Sequence, residues 1–344
     1  MDDLKFLPFY ERLSIQLPGY IFSKVVISVL LGLAFLAAHY TSIEDNIFED
    51  WSWFLGVLIS TAMACLYFAT HTLHTLLSAM DIHLRPNGNQ VPMRALNRLL
   101  SDRNFVLSGL FFGLLNCVFG YCFGLPSSSG RAVATILSGY FLVGFIGGMG
   151  VLGIYGVFVA INSFAQKAKH YFDFTSPDGC GGTLFIGEAL VVFSSVTLIV
   201  GVMISIYIFK TNWTGSNTWS VILLKYFWIV FPYAMSLFVL IAPAVALHSE
   251  LRMYKTGQEA LLKRRLAEIG RSLEKRQSRA SSRKDLRDDY EFRQNARRDL
   301  SKMRTWPFSI GASSRYLIVL VGNIVASLNT VFGWIAKSLR LGSL

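Results

Sequence analysis

Long apolar blocks separated by short polar stretches run through most of the chain. A window of about 18 or more nearly uncharged residues is long enough to cross a bilayer as a helix. Six such windows lie at residues 20–40, 51–72, 104–124, 132–164, 184–209 and 218–247. A seventh, weaker window lies at residues 316–335. The pattern predicts an all-α fold, a polytopic membrane helical bundle with six or seven spans.

Composition and loop charge refine this prediction. Hydrophobic residues make up 53% of the 344 positions and charged residues 15%, which is typical of a bilayer protein and excludes an ordinary soluble domain. The loop at 41–50 carries acids and no base, whereas the loop at 73–103 carries four arginines. Because basic loops stay in the cytoplasm, we expect a multi-pass protein with a cytoplasmic N-terminus.

The most strongly charged stretch follows the sixth window. Residues 248–304 contain 17 basic and 9 acidic residues, which gives this stretch a net charge of +8 out of +11 for the whole chain. Apolar residues recur at steps of three and four on both sides of a polar run at 276–284. We therefore predict a basic cytoplasmic helical hairpin, with an outgoing arm at 248–275 and a returning arm at 285–304.

These features predict four parts of the chain. They are an N-terminal interfacial segment at 1–19, a six-span membrane domain at 20–247, the basic hairpin at 248–304, and a C-terminal interfacial or seventh membrane helix at 305–344. Two lysines near the ends of predicted spans, Lys24 and Lys225, are expected to extend to the headgroup level.

A basic cytoplasmic surface attracts nucleotides, nucleic acid or anionic lipid headgroups. Four bases of the hairpin recur at spacings of seven, four and four on one helix face: Arg264, Arg271, Lys275 and Arg279. They are the candidate ligand-binding residues, with contacts mainly to phosphate. The alternative is that these charges only form a solvated surface. The apolar stripe beside them needs a partner as well, either the returning arm or neighbouring subunits of a homo-oligomer.

The loop Ser-Pro-Asp-Gly-Cys-Gly-Gly at 176–182 precedes the fifth predicted span. A phosphate-binding P-loop would need Gly-Lys-Ser/Thr between a strand and a helix, and this loop has neither. Its residues predict a tight turn, and the alternative is that the loop contacts a ligand or a gate. Glu188 lies a few residues into the span, where it either interacts with the helix dipole or forms a cation-attracting ring in an oligomeric pore.

Two further groups are candidates for a pore or gate. Seven glycines fall within residues 139–156 of the fourth predicted span, and Gly148 is the candidate among them for a gating hinge, with close helix packing as the alternative. In the final apolar run, Asn323 and Asn329 are candidate pore-wall residues. That run either spans the membrane or lies in it as a re-entrant or interfacial helix.

Few other residues are candidates for metal binding or catalysis. Four cysteines occur without a CxxC pair, which favours reduced thiols over a zinc site. The sequence contains no Ser/His/Asp constellation, metal-ligand cluster or pair of intramembrane carboxylates. We therefore expect no catalytic residue, no bound metal and no cofactor, and we do not expect an enzyme.

Two short motifs carry a resemblance to a known family. Pro-Asp-Gly-Cys-Gly-Gly at 177–182, and Arg-Thr-Trp-Pro-Phe-Ser-Ile-Gly at 304–311 before the final apolar run, resemble bacterial multi-span membrane effectors of anti-phage defence systems of the Hailong type. The resemblance covers the C-terminal half and transfers no functional residue. It implies an oligomeric channel in the inner membrane. A nucleotidyltransferase partner would supply the oligonucleotide signal that opens it.

Three functions are therefore considered. The first is a ligand-gated oligomeric ion channel, opened by an anionic cytoplasmic signal and acting as a membrane-disrupting defence effector. The second is a membrane scaffold or sensor that recruits a cytoplasmic partner through the hairpin. The third is a transporter, although no internal repeat of the kind transporters use is evident.

Overall fold

The computed structural model describes residues 8–15, 20–42, 51–84, 93–123, 130–168, 172–211, 219–275 and 280–308, together with Gly311, Ser314 and Ile318. Within these residues the chain is helical and contains no strand. The helices in chain order are α1 Phe9–Ile15, α2 Tyr20–Tyr40, α3 Phe54–Leu84, α4 Met93–Leu99, α5 Asp102–Phe123, α6 Gly130–Ala168, α7 Leu184–Lys210, α8 Trp219–Lys275 and α9 Ala280–Lys302.

Six helices of the described part of the chain are long and apolar enough to cross a membrane: α2, α3, α5, α6, α7 and α8. The predicted all-α polytopic bundle with six spans is therefore confirmed. Several helices extend beyond the apolar windows that predicted them, since polar residues can continue a helix outside the membrane. The longest, α8, has 57 residues and continues from the sixth span into the basic stretch without a break. The candidate seventh span lies almost wholly outside the described residues.

Small residues bring the helices of the bundle close together. A Cβ atom on Gly148 of α6 would collide with the carbonyl oxygen of Ser108 on α5. Ser108 Oγ donates a hydrogen bond to the Gly148 carbonyl oxygen at 2.7 Å, and Asn116 Nδ2 donates to the Tyr140 carbonyl oxygen at 2.7 Å. The contact at Gly148 requires glycine because a side chain there would hold the two helices apart. Close packing is thus one use of the glycines in α6.

The short helix α1 packs into the bundle near the start of α5. Tyr10 Oη hydrogen-bonds Thr70 Oγ1 of α3 at 2.8 Å, and the amide of Phe9 donates to Asp102 Oδ1 at 3.0 Å. Glu11 is 0% exposed and accepts a hydrogen bond from Lys24 Nζ of α2 at 2.7 Å. The expectation that Lys24 extends to the headgroups is wrong, because a buried carboxylate holds its ammonium group inside the bundle.

Candidate functional site

A helical hairpin extends from the bundle, formed by the C-terminal half of α8 and by α9. The two arms are antiparallel, and buried apolar side chains fill the space between them: Leu251, Leu262, Ile269, Leu300 and Met303. Lys255 Nζ donates to the carbonyl oxygens of Ser301 and Met303 at 2.9 and 2.7 Å. A cation at this position satisfies carbonyl groups at the end of α9 that lack a partner within the helix.

The predicted ligand-binding residues are only partly described by the structure. Arg264 and Arg271 are exposed on α8, two residues beyond the buried Leu262 and Ile269, so they point away from the seam between the two arms. Lys275 ends α8, and the structure does not describe its side chain. Arg279 lies outside the described residues. The shared face of Arg264 and Arg271 fits the prediction, and a role in ligand binding stays a prediction.

The loop before α7 is built around Asp178. Its Oδ1 accepts hydrogen bonds from the amides of Cys180 at 2.8 Å and Gly182 at 3.0 Å, and its Oδ2 accepts one from Leu184 at 3.1 Å. The loop reaches this geometry because Gly179, Gly181 and Gly182 have φ values of 63°, 68° and 82°. Asp178 therefore orders the loop through two of its amides and satisfies the amide of Leu184, the first residue of α7, which has no partner in the helix.

The pKa of Asp178 reflects two opposing effects. Partial burial acts to raise the pKa of this carboxyl group, but the backbone hydrogen bonds from Cys180, Gly182 and Leu184 stabilise its charged form and outweigh burial. The pKa of Asp178 is accordingly lowered. The pKa of Cys180 shifts in the other direction. Burial raises the pKa of its thiol, and the attraction of the nearby Arg304 charge does not outweigh burial. Cys180 is thus kept as a neutral thiol.

The second sequence motif lies directly on this loop. The amide of Arg304 donates to the Gly179 carbonyl oxygen at 2.8 Å, and Arg304 Nη2 donates to the Asp178 carbonyl oxygen at 3.2 Å. A Cβ atom on Gly187 of α7 would collide with the carbonyl oxygen of Pro307. The two motifs, more than a hundred residues apart in the chain, therefore form one packed unit.

The same unit is attached to α8. His248 Nδ1 lies 3.1 Å from the Thr305 carbonyl oxygen, and the His248 ring stacks on Trp306 with ring centroids 4.4 Å apart. Gly181 approaches Met303 and Leu251 so closely that a Cβ atom there would lie 2.6 and 3.2 Å from them. We call this unit, formed by residues 178–187, His248 and residues 303–308, the junction. It joins both arms of the hairpin to the start of α7.

The candidate pore and gate residues lie in different places. Glu188 is exposed on α7, immediately after the buried Gly187. Gly148 packs against α5 as described above, so the structure accounts for this glycine without a hinge. Asn323 and Asn329 lie outside the described residues. Pore-lining roles for these residues stay predictions.

Both motifs of the junction stand out in the sequence, but the contacts between them were not predicted. Asp178 lies well before Thr183, the N-cap of α7, so the ordinary capping pattern does not point to it. Arg304 and His248 gave no local signal either, since their contacts connect distant parts of the chain. In the described part of the chain, no group of three or more His, Cys, Asp and Glu side chains could hold a metal ion.

Comparisons with protein-family models, with curated proteins and with solved structures found no significant match to this chain. The class of the protein therefore rests on its own helices. It is a polytopic helical membrane protein, with a charged hairpin attached to the end of its bundle.

Proposed function

We propose that this protein is an oligomeric, ligand-gated ion channel of the bacterial inner membrane. In this proposal an anionic nucleotide or oligonucleotide binds the basic hairpin on the cytoplasmic side. Binding opens a pore between the subunits, and the resulting loss of the ion gradient serves as a defence response. A nucleotidyltransferase partner would supply the signal, as the resemblance of the two short motifs implies.

The junction is the observation that carries the proposal. A ligand can shift a conformational equilibrium only if it binds the two states with different affinity. A ligand that bridges charged hairpin surfaces binds the two states with different affinity if the hairpin changes position when the pore opens. Because α8 is continuous and residues 303–308 are packed onto the start of α7, a moving hairpin displaces two membrane helices together.

The charges of the hairpin support an anionic ligand. Arg264 and Arg271 are exposed on one face of α8, and neither is in an ion pair with another described side chain. Nearby arginines differ, since Arg265 lies 3.6 Å from Glu268 and Arg293 lies 2.9 Å from Asp289. Guanidinium groups without a carboxylate partner are the ones available to bind phosphate.

Ligand-dependent ion flux tests the proposal. Purified protein is reconstituted in liposomes, and flux is followed with ATP and with short single-stranded oligonucleotides added on the hairpin side. We expect at least one of these anions to start flux. The variant Arg264→Glu with Arg271→Glu should lose both binding and flux. The matched control reverses two exposed charges of α9, Arg287→Glu with Arg298→Glu, and should retain more of both.

Two results would count against the channel. The first is liposomes that stay sealed with every anion, although the protein is inserted and folded. The second is a monomer in mild detergent, since one copy of these helices offers no shared central pore.

A scaffold is the second candidate, and one observation favours it. Phe292 of α9 is 72% exposed and Leu261 of α8 is 52% exposed, both on the hairpin outside the bundle. Large apolar side chains on a charged surface are typical of sites where proteins bind. If Phe292→Ser abolished the biological effect while sealed liposomes showed no flux, a partner-recruiting scaffold would replace the channel.

A further inference from the structure

Five membrane-spanning helices, α3, α5, α6, α7 and α8, line a partly open cavity of about 210 Å³. It follows α3 from Leu55 to Ala69 and α6 from Tyr140 to Ile154. At 1.5 Å per residue, each of these stretches is ~21 Å long. The cavity is therefore an elongated space that runs along the bundle through much of the thickness of a bilayer core.

Glycines of α6 keep this space open. Gly147 and Gly150 line the cavity, and a Cβ atom on either would meet no atom within 4 Å. Gly148, between them in sequence, is pressed against α5. The same helix thus uses one glycine for contact and its neighbours to leave a gap that larger side chains would fill.

The chemistry of the walls decides what the cavity can hold. Most lining side chains are aliphatic or aromatic, among them Leu58, Val143, Phe193, Val200 and Phe231. Such a space suits water poorly, because a buried water needs two to four polar partners. Left empty, it would deprive these side chains of packing partners. An apolar chain of matching length resolves both problems.

One aromatic residue of the lining also fits a lipid. Trp228 lines the cavity and lies toward the end of the bundle opposite the hairpin, where α7 ends and α8 begins. Tryptophan favours the boundary between acyl chains and headgroups, so its position suits a lipid chain that enters the cavity from that end.

We propose that this cavity binds one acyl chain of a bilayer phospholipid. The proposal does not depend on channel activity, because it rests only on the shape and chemistry of the bundle interior. A phospholipid is favoured over a free fatty acid because the cavity lies at the depth of the bilayer chains, which surround the bundle at high concentration.

Photolabelling from a lipid chain tests the proposal. The protein is reconstituted in vesicles that contain a phosphatidylglycerol with a diazirine near the end of one acyl chain, then irradiated and mapped by mass spectrometry. We expect labels on Phe193 and Val200 inside the cavity, in addition to labels on Phe111 and Leu114, which are exposed on the outer surface of α5. The outer labels report successful reconstitution in every sample.

Variants separate the cavity from other lipid contacts. Gly147→Leu with Gly150→Leu should fill the cavity and reduce its labels to the level of unirradiated samples, while the outer labels remain. The matched control is Gly153→Leu, on the same helix at an open position that does not line the cavity. It should keep the labels on Phe193 and Val200. If the double variant is not recovered from membranes, Gly150→Leu alone serves the same purpose.

Three results would overturn the proposal. Wild-type protein labelled only on its outer surface would mean that no acyl chain enters. Cavity labels that persist in the filled variant would place the labelled site elsewhere. Labelling of the cavity by a diazirine fatty acid, but not by the phospholipid, would identify a free fatty acid as the occupant.

Discussion

Arg304 and Asp178 connect the end of the hairpin to the loop before α7. Arg304 Nη2 donates to the Asp178 carbonyl oxygen at 3.2 Å, while the Asp178 carboxylate accepts the amide of Leu184 at the start of α7. One aspartate therefore orders a membrane helix and holds the returning arm of the hairpin through its own backbone. The stability of the junction and the position of the hairpin therefore depend on the same contacts.

The closest approach in the junction predicts a sensitive position. Gly187→Ala places a methyl group against the Pro307 carbonyl oxygen, so the backbone must move apart. We expect a loss of about 1–3 kcal/mol in stability, the usual cost of overpacking. Thermal unfolding in detergent measures it. Gly153→Ala adds the same methyl group to open space in α6 and should be neutral or slightly stabilising. Equal unfolding temperatures for the two variants would contradict the contact.

Acid should weaken the hydrogen bonds that the Asp178 carboxylate accepts from the loop amides and from Leu184. Its pKa is lower in the folded chain, so the unfolded chain takes up the proton first as the pH falls. The stabilisation is complete above about pH 4, the ordinary pKa of an aspartate, and is lost as the pH falls through the lower folded value. Unfolding temperatures of the wild type and Asp178→Asn should differ at neutral pH and converge in acid. If the difference in unfolding temperature between the two proteins stayed constant down to the lowest pH, the Asp178 carboxylate charge would not stabilise the loop.

The buried pair of Glu11 and Lys24 should be costly to break. Glu11→Gln removes the buried carboxylate charge that faces the ammonium group of Lys24, and we expect a loss of about 3–5 kcal/mol. The control is the neighbouring Arg12→Gln. It breaks an exposed ion pair with Asp102, which should cost at most about 1 kcal/mol. Replacing both Glu11 and Lys24 with leucine should recover stability. Similar losses for Glu11→Gln and Arg12→Gln would show that the pair is unimportant.

The sequence alone predicted the parts of this fold that depend on local pattern. Six spans were predictable because each needs an apolar window. The hairpin was predictable because apolar residues recur at steps of three and four in both of its arms. The junction was not, since Arg304 and Asp178 are 126 residues apart in the chain and no local pattern connects them. Lys24 was misread for the same reason, because its partner Glu11 lies on another helix. The cavity depends on the three-dimensional placement of Gly147 and Gly150, which the glycine count does not reveal.

The exposed carboxylate of Glu188 gives a direct test of a pore. If copies of α7 surround a cation pathway, Glu188→Gln removes one negative charge per subunit and should lower the preference for cations over anions. Reversal potentials across a planar bilayer measure this preference. Glu259→Gln, a half-buried carboxylate on the hairpin arm of α8, serves as the control and should leave selectivity unchanged. Identical reversal potentials for wild type and Glu188→Gln would remove Glu188 from the pathway.

The most direct test of the account asks whether the hairpin controls the membrane helices through the junction. Oligonucleotide binding and ion flux are measured on the same proteoliposomes, for the wild type, for Arg304→Ala and for the control Arg298→Ala on the exposed surface of α9. We expect Arg304→Ala to bind the oligonucleotide normally but to pass fewer ions, whereas Arg298→Ala should conduct like the wild type. Unchanged flux in Arg304→Ala, with the same ligand occupancy, would contradict this expectation.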